Sequence, residues 1–346
     1  SVDYTGQVVR NVLIKDLKSL AGTAGTTKSE LTALYTNNGT AMDILNDKAD
    51  TGAGDDIPTI QQAWSDFNND KNLSGKVASD VMIGFNQTPD AQLDDWFDEV
   101  VANTNDLHTS DGLELNQAIG KGLLGIVNYY RATSDYLATE KLNAADNTVA
   151  VSGKAYTQLE HFWDEAFGYL GAARDLTTNY TDASLAGKDF AYDSNGDAAI
   201  DYLDEFCFDW VYYASKWDNK CASAGCTQDA DLSGTIFNAF LKGRALISAE
   251  APIAEVLEQR DTIVQTWEKL VAASVIGYIN SVKTKMTNGE DIKHAWSEMR
   301  AFAMGLQYNV HSTVDYTTIV GNLGTAPPAS ADNYDAYKTI LGEVKD

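Results

Sequence analysis

Positive charge is scarce in this chain. Its 346 residues hold 25 Lys and Arg against 50 Asp and Glu, a formal net charge of −25. That balance rules out nucleic acid and anionic membrane surfaces as the default partners, because holding phosphates takes a basic stripe. Cations, metal ions included, become the favoured partners. The acids divide into 36 Asp and 14 Glu, a composition that fits a surface bathed in screening salt.

Cysteine is almost as thin, with three residues. Without four cysteines in paired C-x-x-C spacing there is no structural zinc ribbon. Cys221 and Cys226 bracket a small-residue loop, Cys-Ala-Ser-Ala-Gly-Cys, that an oxidising compartment would close as a local disulfide. Cys207, inside the aromatic run Glu205–Trp210, reads as a buried thiol. No run of about 18 apolar residues exists, so no membrane-spanning helix is expected. The first residues, Ser-Val-Asp-Tyr-Thr-Gly-Gln, lack a basic and an apolar leader region. The chain is read either as a mature secreted protein whose signal was removed or as one that never had a signal. Hydrolase and nucleotide signatures are missing too: no G-x-S-x-G, P-loop, G-x-G-x-x-G or H-E-x-x-H occurs.

Proline is the last scarcity. Five occur, at 58, 89, 252, 327 and 328, leaving 90–251 free of the residue that breaks helix interiors. Apolar residues in that stretch and beyond recur at helical spacing, as in Phe162, Ala166, Tyr169 and Ala173, or Ile263, Trp267, Leu270 and Val271. With 44% hydrophobic residues, the chain can bury a large core. The expected fold is all-α, with helices over 6–20, 27–48, 57–68, 76–84, 91–104, 111–141, 153–173, 198–216, 234–248, 252–286, 290–308 and 331–344. Gly/Asn/Asp/Ser-rich breaks separate them.

Several features occur twice in the same order. Asp70-x-Asn72-x-Ser74-Gly-x-Val corresponds to Asp229-x-Asp231-x-Ser233-Gly-x-Ile, and His161-x-Trp163-x-Glu165 corresponds to His294-x-Trp296-x-Glu298. With four histidines in the chain, two such matches point to internal duplication. The expected organisation is therefore two tandem, repeat-related helical bundles, 1–185 and 186–346, packed as one unit.

Two constellations offer cation chemistry. Residues four apart share a helix face, so His161 with Glu165, and His294 with Glu298, can each point at one ion. Two imidazoles and two carboxylates, with Asp164 as a further ligand or supporting acid, suit a transition metal such as iron or zinc. The alternative is an amphipathic helix whose Glu160, His161, Asp164 and Glu165 form a solvated arc. Gly168 in that arc suggests that another backbone packs close. The second constellation is Asp193-Ser-Asn195-Gly-Asp197-Ala-Ala-Ile-Asp201-Tyr-Leu-Asp204. Its oxygens stand at positions 1, 3, 5, 9 and 12 of an EF-hand-like loop, with Gly at 4 instead of 6 and Asp at 12 instead of Glu. Calcium is the ion for such a loop. Weaker candidates are Asp70, Asn72 and Ser74, and Asp229, Asp231 and Ser233, whose loops lack a carboxylate at position 12 and also read as helix caps. No catalytic residues are assigned.

The segment Tyr156-Thr-Gln-Leu-Glu-His-Phe-Trp-Asp-Glu-Ala-Phe-Gly-Tyr169 resembles the signature of a bacterial family of secreted or lipid-anchored proteins of unknown function, itself similar to the imelysins. Thr5-Gly-Gln-x-x-Arg10, Lys121-Gly-Leu-Leu-Gly125, Ala239–Ser248, Gln259-Arg-Asp261 and His294–Glu298 resemble it too. The resemblance implies two packed helical bundles, a periplasmic or cell-surface location and an iron-related role. Against the G-x-H-x-x-E motif of imelysins, His161 would match the histidine and Asp164 the acid, while Leu159 replaces the glycine. The leading expectation is thus a non-catalytic secreted protein binding a metal ion, with a cell-surface or outer-membrane partner. A calcium-stabilised structural or adhesive module is the alternative, and a metallopeptidase-like hydrolase is third.

Overall fold

The computed structural model describes residues 2–37, 43–45, 48–50, 56–67, 71–103, 106–225, 231–312 and 314–328. Among them run the helices α1 (Thr5–Ala21), α2 (Lys28–Thr36), α3 (Pro89–Ala102), α4 (Leu115–Leu123), α5 (Thr139–Ala144), α6 (Gln158–Leu170), α7 (Leu176–Asn179), α8 (Asp182–Ala186), α9 (Asp209–Ala224), α10 (Leu232–Ser248), α11 (Ile253–Asn288), α12 (Lys293–Leu306) and α13 (Tyr316–Leu323). Among the described residues the sheet content is one antiparallel pair, β1 (Lys48–Asp50) and β2 (Asp56–Pro58), with Ala49 opposite Ile57. The fold is all-α.

Local sequence explains the boundaries that matter most. Thr157 caps α6 by accepting from Glu160 N, and the Glu160 carboxylate accepts from Thr157 N in return. This reciprocal box satisfies two amides that the first turn leaves open. Gly171, left-handed at φ 72°, ends the helix. Two expected helices do not form. Over 57–68 there is a 3-10 turn at Trp64–Asp66 following β2, and 76–84 is a series of turns. Asp66 accepts from Gln62 N and Ala63 N, and Asn72 from Gly75 N. Such side chains offer the backbone an alternative to helical bonds. α9 starts at Asp209 rather than 198, because 193–205 is wound as a loop. Sequence reasoning also missed α13, and the helix expected over 331–344 lies outside the described residues.

The chain divides into two compact units assembled from interleaved segments: Ser1–Val12, Ala41–Lys71 and Arg131–Leu270 in the first, Leu13–Thr40, Asn72–Tyr130 and Val271–Asp346 in the second. Neither coincides with residues 1–185 or 186–346.

In the first unit α6 is the hub. Trp163 is buried, donates Nε1–H to Phe240 O at 2.9 Å, and meets the Phe240 ring edge-on. Gly243 makes room for it, since a Cβ there would lie 1.9 Å from the indole. Gly168 admits α1: a Cβ would meet Tyr4 and Gln7 at 2.7 Å, and Asn11 Nδ2 donates to Gly168 O at 2.9 Å. The close approach suggested by a glycine in a polar arc is therefore real.

In the second unit α12 packs on α4 and on the residues that follow it. Trp296 has no exposed surface and donates to Leu323 O at 3.3 Å. Gly125 and Gly305 bring two backbones together, a Cβ on Gly125 falling 2.6 Å from Gly305 Cα. Backbone cannot give way as a side-chain tip can, so Gly125→Ala is expected to destabilise the protein by about 2–3 kcal/mol, the upper range for overpacking. Gly321→Ala, with nothing within 4 Å of its Cβ, is expected to be neutral or about 1 kcal/mol more stable. Urea unfolding of both variants checks the pair; equal midpoints would contradict the backbone contact.

Candidate functional site

Burying Trp163 turns the opposite face of α6 toward polar neighbours. His161, Glu165 and Tyr169 fall at i, i+4 and i+8, one stripe along the helix. His161 Nε2 lies 3.5 Å from Glu165 Oε2, and Gln7 Nε2 donates to Glu165 Oε1 at 2.9 Å. The Tyr156 ring stacks on the imidazole at 4.6 Å between centroids. His161 Nδ1 is buried without a hydrogen-bond partner among the described residues. Facing the far end of the stripe is a rare element, the π-helical turn Arg131–Tyr136, which follows a second one at Leu124–Tyr129. Its wider winding is frequent at functional sites. Tyr136 and Tyr169 meet at 6.0 Å, and Asp135 accepts from Arg131 at 3.1 Å and Lys141 at 2.7 Å. Burial pushes the Tyr169 phenol up to about 12, against the lowering effect of the nearby Arg10 and Arg131 charges.

The second unit repeats part of this geometry. His294 Nε2 lies 3.5 Å from Glu298 Oε2, and the other Glu298 oxygen takes a donor from a neighbouring helix, Lys121 Nζ at 2.7 Å. Lys121 also bonds Gln117. Here the imidazole has a second acid: Nδ1 is 2.6 Å from Glu114 Oε2. The Glu114 hydrogen bond raises the His294 pKa, with burial opposing it. Carboxylates at both ring nitrogens favour an imidazolium over a metal-ligating lone pair. Beside this helix a cleft of about 640 Å³ is lined by Glu99, Asp106, His108, Asp111, Lys293 and Pro327 among others.

Asp164 does not join the stripe. It is 2% exposed and accepts from Arg244 Nε at 2.8 Å, while Arg244 Nη1 donates to Glu160 at 2.7 Å. The acidic arc read from the sequence is thus clamped by a cation from α10. Asp164 Oδ2 is buried with no hydrogen-bond partner among the described residues. Burial pushes its pKa up to about 6, despite the opposing charge and hydrogen bond of Arg244, with Glu160 adding to the rise.

The acidic loop after α8 is wound tightly. Asp193 Oδ1 accepts from Gly196 N and Asp197 N, and Oδ2 from Ala198 N; Asn195 Oδ1 accepts from Asp197 N, and Asp197 Oδ1 from Ala199 N. Gly196 and Ala198, positions 4 and 6, are both left-handed, at φ 76° and 65°. Position 6 therefore makes the sharp turn without glycine. Asp201 accepts from Gln61 and Leu203 N, and Asp204 Oδ2 lies 3.4 Å from Arg174. The residue sequence reasoning missed is Glu205, 1% exposed, which accepts from Ser194 N, Ser194 Oγ, Asn195 N and Asp201 N. A carboxylate just past position 12 was the available signal.

Of the weaker loops, Asp70 and Asp229 lie outside the described residues. Asn72 caps a turn, Ser74 lies in that turn, and Ser233 Oγ donates to Asp182. Asp231 caps α10 by accepting from Gly234 N. Cys221 is disulfide-bonded and Cys226 lies outside the described residues; Cys207 is a buried free thiol that burial pushes up to about 12. Among the described residues, no group of three or more His, Cys, Asp or Glu side chains is placed to hold a metal ion. No described helix is long and apolar enough to cross a membrane.

The model of the family described as Domain of unknown function (DUF4856) matches residues 1–320. The chain belongs to that family. No curated protein and no solved structure matches it. The DUF4856 match takes in both His-x-Trp-x-Glu helices and the loop around Glu205, so the geometry above lies within the family's own span.

Asp164 gives this DUF4856 protein a definite pH signature. A carboxyl whose folded pKa exceeds its unfolded value binds more protons when folded, so its contribution to stability falls as pH rises from about 4 to about 6. Asp164→Asn keeps an acceptor for Arg244 and removes the titration. Relative to wild type, the variant is expected to gain about 1–3 kcal/mol between pH 4 and pH 7, with no further change above. Denaturant midpoints across that range check this; a constant difference would refute it.

Proposed function

We propose that this DUF4856 protein is a non-catalytic, extracytoplasmic helical module that takes calcium in the loop Asp193–Asp204 as a stabilising ion. The observation that carries the reading is the winding of that loop. Its amides turn inward onto Asp193, Asn195 and Asp197 in sequence, with left-handed residues at positions 4 and 6. This is how an oxygen-lined calcium turn presents side chains at positions 1, 3 and 5. Calcium draws on amide, carbonyl and water oxygens as well as carboxylates, so it does not need three acids already gathered at one point. The disulfide at Cys221 supports an oxidising compartment, periplasmic or extracellular. The net charge of −25 supports attraction of cations. The likeness of the two His-x-Trp-x-Glu helices, each with a 3.5 Å His–Glu pair and an indole bonded to a backbone carbonyl, supports an internal duplication of the imelysin kind.

Calcium at about a hundred times its Kd stabilises by about 2.7 kcal/mol, a rise of about 4 °C in melting temperature for a chain of this length. Asp197→Asn keeps the acceptor for Ala199 N while removing a charge, so it is expected to fold and to lose most of that rise. A wild-type protein whose melting is the same in calcium and in chelator would end this reading.

A second reading, iron or zinc at His161, is favoured by the buried, unpartnered Nδ1, with Glu165 at the opposite ring nitrogen orienting the imidazole and not ligating the ion. With Nε2–H toward Glu165, Nδ1 offers a lone pair. His294, flanked by carboxylates on both sides, adds less to it. Metal content of untagged protein is the check, and equal content in wild type and His161→Ala would dismiss the site.

A further inference from the structure

Neither reading draws on the cleft of about 640 Å³ in the second unit, a volume that suits a small organic ligand and exceeds what a single ion fills. α3 contributes Glu99 to its wall, the loop after α3 contributes Asp106, His108 and Asp111, and Lys293 and Pro327 complete it. The loop is held in shape by its own backbone. Leu115 N donates to Leu107 O at 2.8 Å, Thr109 N to Leu113 O at 2.9 Å and Gly112 N to Thr109 O at 2.9 Å. Gly112, left-handed at φ 91°, lies so close to Pro327 that a Cβ would meet that ring at 3.0 Å.

Acceptors dominate the lining. His108 Nδ1 meets two of them, Asp106 O and, at 2.9 Å, Asp106 Oδ1, and so carries the ring proton. Nε2 of the neutral ring is left with its lone pair. Asp111 takes the Thr109 hydroxyl on one oxygen. The Glu99 carboxylate has no hydrogen-bond or ion-pair partner among the described residues, and burial raises its pKa, with the Asp111 and Asp95 charges adding to the rise. Two cations belong to the surroundings. Lys293 lines the cleft, and buried Arg300 acts on Asp111 while its Nη1 donates to Thr325 O. Neither pairs with Glu99.

We propose that this cleft binds a small organic cation with several N–H donors, of the diamine or polyamine class, with an ammonium group on Glu99 and further N–H donation to the acceptors around it, His108 Nε2 and Asp111 among them. The ligand supplies the counter-charge that the neighbours of Glu99 withhold. A metal ion fits less well, since no group of three or more His, Cys, Asp or Glu among the described residues is placed to hold one. An anionic ligand is opposed by the three carboxylates of the lining.

Putrescine is the probe. It is titrated calorimetrically into the full-length chain at about 0.15 M salt, where exposed charges are screened, and in chelator so that calcium plays no part. Saturable one-to-one binding to wild type is expected. Glu99→Gln keeps the shape of the side chain and is expected to bind at least about tenfold more weakly. Glu258→Gln, at an exposed acid of α11, is expected to bind as wild type does. The permethylated, doubly quaternary analogue of putrescine keeps both charges without an N–H and is likewise expected to bind at least about tenfold more weakly. Binding that does not saturate, an unchanged affinity in Glu99→Gln, or equal binding of the quaternary analogue would overturn the proposal.

Discussion

A buried indole fixes the rotation of each His-x-Trp-x-Glu helix, and the polar geometry follows from it. Tryptophan is the largest side chain and carries an N–H that needs an acceptor once buried. Trp163 and Trp296 each find a backbone carbonyl, at Phe240 and Leu323. A residue two positions away on a helix points about 200° around the axis, so locking the indole inward sends His and Glu, at i−2 and i+2, to the other side. They emerge together, because they are four apart. The 3.5 Å His–Glu spacing recurs in both helices for that reason, whatever chemistry it serves.

What surrounds the pair then differentiates the two places. In the first unit a neutral amide, Gln7, meets the glutamate, and an aromatic ring covers the imidazole. In the second, Lys121 and Glu114 do so, and the imidazole lies between carboxylates. The first arrangement leaves one imidazole nitrogen without a hydrogen-bond partner among the described residues; the second favours protonation of the ring. The same His–Glu spacing thus lies in two different electrostatic environments, set by the residues on neighbouring helices.

The helical class, the main helices and the glycine contact at α6 were legible in the sequence, because each rests on local periodicity or on a cost carried by one residue. Gly168 could be read as a close approach since a mid-helix glycine is unfavourable unless something needs the space. Helices over 57–68 and 76–84 were misread for a related reason. Their apolar spacing was helical, but Asp66 and Asn72 satisfy backbone amides locally, and periodicity carries no record of that competition. Partners on other segments were beyond reach. Nothing in the order of residues says that Gln7 meets Glu165, that Arg244 spans Glu160 and Asp164, or that a unit draws on three separate stretches. Even so, Gln7 and Lys121 stood in segments singled out by resemblance, with no role attached.

The fate of the acid excess is the most instructive consequence. A charge of −25 suggests carboxylates turned to solvent, yet Glu205 and Asp218 are buried, and these and others are bonded to backbone amides. Glu205 takes four donors from the loop it closes, Asp193 takes three amides, and Asp218 takes the amides of Leu232 and Ser233 at the start of α10. Backbone N–H groups are thereby used as the counter-charge that a lysine-poor chain cannot supply. An amide carries only a partial charge, so this solution satisfies hydrogen bonding more fully than it neutralises charge. Loops built in this way keep a residual attraction for cations even when every amide is satisfied. The wiring around Glu205 thus holds that loop together through its own amides.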